Sequence, residues 1–150
     1  MAYSGKFRPK NLDKYKGDPT KITYRSSWEA WLMKWLDQSD SVVAWNSEEV
    51  IIPYFSNADG KRRRYFMDFY AKMSSGDVFL FEVKPDKETR PPVMKSTNTA
   101  KAKRTFANEM YTWQVNTDKW TAANALCASK GWHFKIITEN TLRSHFGWKG

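Results

Sequence analysis

The sequence predicts an α/β protein, towards the α+β end of that class, in which helices flank a central mixed β-sheet. Three observations indicate this: a segment of helical period near the start, aromatic and β-branched segments between turn signals in the middle, and an Ala-rich helical stretch before a last strand. Strands joined by tight turns pair antiparallel, whereas a strand reached through helices can join in parallel. The 150 residues, 41% of them hydrophobic, suffice for one domain with a sizeable core.

The first predicted helix begins at Ser26 and carries a single apolar stripe. Its members recur at i, i+3, i+4, i+7 and i+8: Trp28, Trp31, Leu32, Trp35 and Leu36. Glu29 flanks this stripe, and Ser26-Ser27-Trp28-Glu29 fits the S-x-x-E pattern of a capping box. Glu29 is therefore a candidate for helix capping, for a metal site, or for both.

The middle of the chain predicts four strands. Two cover residues 42–45 and 50–55, and a turn at 57–60 leads through a basic run into a third strand that contains Asp68. The fourth strand contains Glu82, and the turn signal Ser74-Ser75-Gly76-Asp77 folds the third and fourth strands into a hairpin.

The rest of the chain predicts one loop, three helices and one strand. Three prolines interrupt residues 85–99, which predicts a mobile loop. We expect the later elements to be a helix over 100–116, a helix over 118–130 capped by Thr117 and ended by Gly131, a strand over 132–137, and a helix over 139–146 capped by Thr138.

The first 24 residues form a basic segment that differs from the rest of the chain. Pro9, Gly17 and Pro19 break any regular pattern there. This predicts an N-terminal arm over residues 1–24 that lies on DNA or on a partner, or else a frayed terminus, followed by a single domain over 25–150.

Charge and cysteine content narrow the function classes. The net charge of +9 favours a polyanionic partner, above all nucleic acid, although a generally basic protein without such a partner has the same composition. The single cysteine, Cys127, excludes an intrachain disulfide and, with two histidines, does not make a zinc-ligand set. No apolar run is long enough to span a membrane and the first residues lack a signal-peptide core, so we expect a cytoplasmic protein.

Asp68, Glu82 and Lys84 are the leading candidates for chemistry. Side chains alternate along a strand, so Glu82 and Lys84 share a face, and the predicted hairpin brings Asp68 beside Glu82. Mg²⁺ takes oxygen ligands, often only one or two protein carboxylates, and lowers the pKa of a bound water. A neighbouring ammonium can position that water or neutralise a phosphoryl group. The alternative is that all three are solvated residues on the outside of a hairpin.

This pattern resembles the PD-(D/E)xK nuclease superfamily: a glutamate on the first helix, an aspartate on a strand, then Glu82-Val83-Lys84. The resemblance implies a restriction-endonuclease-like core and a Mg²⁺ cofactor, with Mn²⁺ as a substitute. It implies that Asp68, Glu82 and the backbone carbonyl of Val83 bind the metal, that Lys84 positions water or phosphate, and that Glu29 supports the metal. Met67 stands where the family pattern has proline.

A closer resemblance, to the head-completion nucleases of T-even tailed phages, extends over nearly the whole chain. It is carried by residues 1–6, 17–19, 21–26, 63–68, 111–113 and 115–120. It implies an endonuclease that acts on DNA at the packaged head before tail joining, in the host cytoplasm or on the virion, with portal or neck proteins as partners. It is compatible with a homo-oligomer. The alternatives are a non-catalytic virion protein that binds DNA or the portal and completes the head, and a single-strand binding module.

Basic residues elsewhere are candidates for DNA binding, because phosphates attract Lys and Arg. They are Arg25, Lys61, Arg62, Arg63, Arg64, Lys101, Lys103 and Arg104. Each one taken singly can equally be a solvated surface charge. Trp113 and Trp120 can stack on bases, but their spacing of seven residues favours a core position on a helix.

Overall fold

The computed structural model describes residues 3–150; Met1 and Ala2, which belong to the predicted arm and to the first segment of the closer resemblance (residues 1–6), lie outside the described residues. In chain order the regular elements are β1 (Gly5–Lys6), β2 (Thr23–Tyr24), α1 (Ser27–Gln38), β3 (Val42–Ser47), β4 (Ile51–Ser56), β5 (Lys61–Phe66), β6 (Phe69–Met73), β7 (Val78–Val83), α2 (Ala100–Lys130), β8 (His133–Ile137) and α3 (Glu139–His145). Short 3₁₀ turns lie at Leu12–Lys14 and Asp86–Thr89.

A four-stranded mixed sheet forms the centre, in the order β3-β6-β7-β8. β6 pairs antiparallel with β3 and β7, whereas β8, which the chain reaches through α2, joins β7 in parallel. β4 and β5 form a separate antiparallel hairpin. The predicted fold class, helices around a mixed sheet in the α+β range, is confirmed.

Two apolar clusters cover opposite faces of this sheet. On one face, α1 and α3 pack on the sheet through Leu32, Leu36, Trp45, Phe69, Phe81 and Leu142. On the other face, α2 and the β4–β5 hairpin pack over Leu80 through Ile52, Tyr54, Tyr65, Ala123 and Cys127. The alternation of side chains along β6 and β7 supplies both faces from the same strands.

The helix after the proline-rich loop is continuous, and the predicted break at Thr117 is wrong. α2 runs for 31 residues, from the Thr99 cap to Gly131, which takes the left-handed conformation with φ 70°. Thr117 does not cap a second helix, because its hydroxyl donates to the Gln114 carbonyl within the same helix (3.0 Å). No glycine or proline lies between residues 100 and 130 to stop the helix.

The basic N-terminal segment, predicted as an extended arm, is packed on the domain over its described residues. β1 pairs with β2, and Tyr15 and Ile22 are buried in the cluster under α1. The fully buried carboxylate of Asp37 accepts the backbone N–H groups of Lys10 (2.9 Å) and Asn11 (3.2 Å). The few apolar residues of the N-terminal segment are far apart in sequence, so no periodic pattern predicts that they are buried together.

The single strand predicted around Asp68 is two strands, β5 and β6. β5 pairs with β4, whereas β6 belongs to the central sheet, so the chain changes sheets at Met67 and Asp68. Met67 is buried and its N–H donates to the Val50 carbonyl (2.9 Å). Asp68 therefore lies at a switch between two sheets, not in the middle of a strand.

Among residues 3–150, no helix is both long enough and apolar enough to cross a bilayer.

Candidate nuclease site

Asp68 and Glu82 lie at the same end of the central sheet. β6 begins just after Asp68 and β7 ends just after Glu82, and the antiparallel register pairs Phe69 with Phe81. The Val83 N–H donates to Oδ2 of Asp68 at 2.8 Å, which holds the aspartate against the backbone next to Glu82. The β6–β7 hairpin turns at the predicted residues, where Gly76 takes φ 94°.

The Glu82 carboxylate is almost completely buried and is held by two hydrogen-bond donors and one ammonium group. Its Oε1 accepts the Tyr65 hydroxyl at 2.5 Å, and its Oε2 accepts the Trp120 indole N–H at 3.3 Å. The Lys84 ammonium lies 3.5 Å from Oε2 on the same side of β7. Burying a carboxylate that is only 4% exposed is costly unless such partners pair with it.

Glu29 approaches this end of the sheet from the start of α1. The Ser26 hydroxyl accepts the Glu29 N–H (3.1 Å), as expected for a helix cap. The Glu29 carboxylate accepts the N–H of Arg25 (2.8 Å) instead of that of the cap residue Ser26. The predicted capping box is therefore shifted by one residue at its second hydrogen bond. Burial raises the pKa of Glu29, and the nearby Glu48 and Glu82 charges raise it further.

The carboxylates repel one another at Asp68. Burial, with added repulsion from Glu82 and Glu29, raises the pKa of Asp68 to about 8, against the lowering effects of the Val83 N–H and of Lys84. Carboxylates that repel one another when charged favour a bound cation, which stabilises their ionised form. The oxygen donors fit Mg²⁺ or Mn²⁺, since such ions often take only one or two carboxylates. Within residues 3–150 there is no closed set of three or more His, Cys, Asp or Glu ligands.

Glu48 is a site residue that has no signal in the sequence. It follows β3 with a positive φ of 58°, which is unusual for a residue other than glycine. Its N–H faces the carbonyls of Met67 and Asp68, each at 3.2 Å, and its carboxylate pairs with Arg25 at 2.9 Å. This contact fixes the backbone where the chain changes sheets. It also commits Arg25, a predicted DNA-binding residue, to an ion pair at the rim of the site.

The basic run on β5 is divided between two faces. Arg62 and Arg64 share the outer face of the hairpin with Pro53 and the exposed Ile51, Phe55 and Phe66. Lys61 and Arg63 alternate onto the face that carries Tyr65, and Arg63 is paired with Asp59. The outer face therefore presents guanidinium groups, six and four residues before Asp68, beside aromatic side chains.

The basic residues of α2 do not lie beside the carboxylates. Lys101, Lys103 and Arg104 are exposed in the first turns of the helix, whereas Trp120 contacts Glu82. At 1.5 Å per residue, the helix places them about 24–29 Å from Trp120 along its axis. Any phosphate they contact is thus several nucleotides away from one at the carboxylates.

The sequence patterns do not predict Tyr65 and Trp120 as residues of the carboxylate site. The helical spacing of Trp113 and Trp120 predicts burial, and Trp120 is indeed only 8% exposed. Its bond to Glu82 depends on how α2 crosses the sheet, which spacing does not show. Tyr65 shares its strand with the basic run, and its hydroxyl meets Glu82 only because the β4–β5 hairpin packs over the sheet face that carries Leu80.

Comparison with known proteins agrees with this geometry. Residues 39–139 match the family described as TnsA-like endonuclease N terminal. The chain is also 57% identical to the head completion nuclease of Enterobacteria phage T4, over 100% of this chain and 99% of that protein. No solved structure matches the chain. With the family model covering Asp68, Glu82 and Lys84, the chain belongs to the TnsA-like endonucleases of the PD-(D/E)xK nuclease superfamily.

Proposed function

We propose that this protein is a Mg²⁺-dependent DNA endonuclease with little sequence preference that acts in phage head completion. One observation carries the proposal: Asp68 meets the backbone beside Glu82 while Glu29 and Lys84 face the same point. Acidic oxygens with an adjacent ammonium are the groups that metal-assisted phosphodiester hydrolysis requires. The near-full-length similarity to a protein named head completion nuclease supports the assembly role.

Each of these residues has a separate task in the proposed reaction. Asp68, Glu82 and the Val83 carbonyl would hold the metal, which when bound supplies a water of lowered pKa and a charge that offsets the phosphoryl oxygens. Lys84 orients the attacking water or neutralises the phosphate, and Glu29 assists from α1. Tyr65 and Trp120 keep the Glu82 carboxylate fixed, so little reorganisation is needed when the substrate binds.

DNA would be held chiefly through its phosphates. The outer face of β5, with Arg62 and Arg64, leads along the chain to Asp68, and the basic start of α2 provides a second, remote contact. Contacts of this kind position a duplex without reading its sequence. Portal or neck proteins then select where the enzyme acts, in the host cytoplasm or on the virion, and the protein can work as a homo-oligomer.

A cleavage assay tests the proposal. We expect purified protein to cut DNA with Mg²⁺ or Mn²⁺ and not with EDTA, and we expect Asp68→Ala and Glu82→Ala to abolish cutting. Asp40→Ala, which changes an exposed aspartate, is the matched control and should cut normally. Equal cutting by all four proteins would indicate a contaminating nuclease and would leave a non-catalytic role in head completion.

A further inference from the structure

A cavity of about 780 Å³ lies between the segment that follows β7 and the middle of α2. One wall includes Lys87, Glu88 and Arg90 from the proline-rich loop, and the other includes Trp113 and Asn116 from α2. The volume falls within the range of small-molecule sites. None of its lining residues belongs to the carboxylate site described above.

The Asn116 side chain shows that this cavity is suited to a polar ligand. Asn116 is only 5% exposed and lines the cavity. Within residues 3–150, its amide oxygen and nitrogen are not among the fully buried side-chain atoms that lack a hydrogen-bond partner. The amide atoms are therefore open to the cavity, where a ligand or water can pair with them. The adjacent donor and acceptor of the amide match those on the edge of a nucleobase.

Aromatic and charged residues of the wall narrow the ligand class further. Trp113 offers a ring next to Asn116 and packs edge to face with Trp120, with the ring centroids 5.8 Å apart. The two cations, Lys87 and Arg90, are matched by Glu88 and Glu109, and Arg90 is already bonded to Asp86 at 2.9 Å. A wall with balanced charge favours a neutral planar ligand over a phosphate group.

The cavity also adjoins the candidate catalytic centre. Asn116 precedes Trp120 by about one helical turn, roughly 6 Å along α2, and Trp120 donates to Glu82. The loop wall begins at Lys87, three residues after Lys84. A nucleotide whose base lay in the cavity would have its backbone close to the carboxylates.

We propose that this cavity binds one unpaired DNA base, stacked on Trp113 and hydrogen-bonded by Asn116, so that the enzyme favours DNA with an extruded or unpaired nucleotide. This inference rests on the proposed nuclease function and adds the substrate class. A base inside a duplex cannot reach a concave site without leaving its stack, whereas an unpaired base enters at lower cost.

Binding without cleavage tests the inference directly. The probes are two short duplexes that contain 2-aminopurine, either as a single-nucleotide bulge or fully paired, in EDTA. We expect wild-type protein to bind the bulged duplex more tightly and to quench its 2-aminopurine emission through stacking. Equal affinity for both duplexes, or unchanged emission of the bulge on binding, would overturn the assignment. This measurement needs no variant and so does not depend on a mutant folding.

Variants locate the effect in the cavity. Asn116→Ala should lower affinity for the bulged duplex roughly threefold to tenfold, the range of a lost hydrogen bond, and leave the paired duplex unaffected. Asn140→Ala, an exposed asparagine on α3, is the matched control and should change neither. Equal loss in both variants, or loss on both duplexes, rejects the role of Asn116.

The two proposals fail in different ways. Metal-dependent cleavage that Asp68→Ala abolishes, together with equal affinity for the two duplexes, rejects the cavity assignment alone. Cleavage retained by Asp68→Ala rejects the proposed function. The relative affinity for the bulged and paired duplexes, measured in EDTA, then tests the cavity assignment separately.

Discussion

Adjacent residues of β6 and β7 serve the core under α1 and the carboxylate site in opposite ways. Phe69 and Phe81 are paired across the two strands and are buried among apolar side chains. Asp68 and Glu82, each one residue away, lie at the end of the sheet, where burial and mutual repulsion raise the pKa of Asp68. One position along a strand therefore separates residues that stabilise the fold from residues whose burial destabilises it.

This difference indicates how the molecule divides stability from chemistry. Burial alone stabilises the apolar face, which needs no specific hydrogen-bond partner. The carboxylate end depends on specific donors, namely Tyr65, Trp120 and Lys84 for Glu82, and Val83 for Asp68. Changes on the two sides should then have separable effects on stability and on metal binding.

The largest expected effect is on stability, from a change on the apolar side. Leu36→Ala removes a fully buried side chain of α1 and should lower the free energy of unfolding by about 2–5 kcal/mol. Urea titration measures this. Because Leu36 lies away from the carboxylates, the Mn²⁺ affinity of the folded protein should change by no more than a factor of about two, as it does for substitutions far from a site. A large loss of affinity would show that the two sides are coupled.

The next effect is on the pH dependence of stability in metal-free protein. The folded state raises the pKa of Asp68 to about 8, so it binds a proton that the unfolded chain has already released. The stabilising contribution is complete below the unfolded pKa, near 4, and is lost as the pH rises through about 8. We expect the free energy of unfolding to fall by at most about 1.4 kcal/mol per pH unit in this window.

Asp68→Asn provides the control, because it removes the titrating group and keeps the shape. Urea titrations at several pH values should show a shallower decline for this variant than for wild type. Addition of Mn²⁺ at alkaline pH should restore stability to wild type and not to Asp68→Asn. Parallel profiles for the two proteins would argue against a raised pKa at Asp68.

A smaller effect is expected from the donors that hold Glu82. Tyr65→Phe removes the hydroxyl at 2.5 Å from Oε1 and should weaken Mn²⁺ binding about 10–100-fold, as changes in groups that orient metal ligands usually do. Tyr54→Phe is the matched control, because Tyr54 is buried in the same cluster under α2 and is not bonded to Glu82. Equal Mn²⁺ affinities of wild type and Tyr65→Phe in calorimetric titrations would show that Tyr65 does not support the metal site.

The smallest effect concerns the outer face of β5. Arg64→Ala should weaken DNA binding about equally for all sequences and reduce the slope of log K against log salt by about one, as the loss of one phosphate contact does. Arg143→Ala on α3, whose guanidinium lies over Trp148, is the matched control. An unchanged salt slope for Arg64→Ala would place DNA on another surface.

Elements with strong local signals could be predicted from the sequence. The apolar stripe of α1, the turn before β7 and the Gly131 cap each depend on neighbouring residues. The continuity of α2 past Thr117 also has a local signal, the absence of glycine and proline, which outweighs the possible cap at Thr117. Two features lack such signals: the break between β5 and β6, and the packing of the N-terminal segment through Tyr15 and Ile22. Each depends on contacts between distant segments, which periodicity does not contain.

The amino-acid sequence by itself determined the mixed fold, the shared side of Glu82 and Lys84, and the hairpin that brings Asp68 near them, because alternation and turn chemistry are local. Only the tertiary structure decided that Tyr65 and Trp120 hold Glu82, that Glu48 secures the backbone at Asp68, and that Asn116 lines a cavity one turn from Trp120. These contacts join β5, β7, α2 and the end of β3, and they form only where the separate layers pack together.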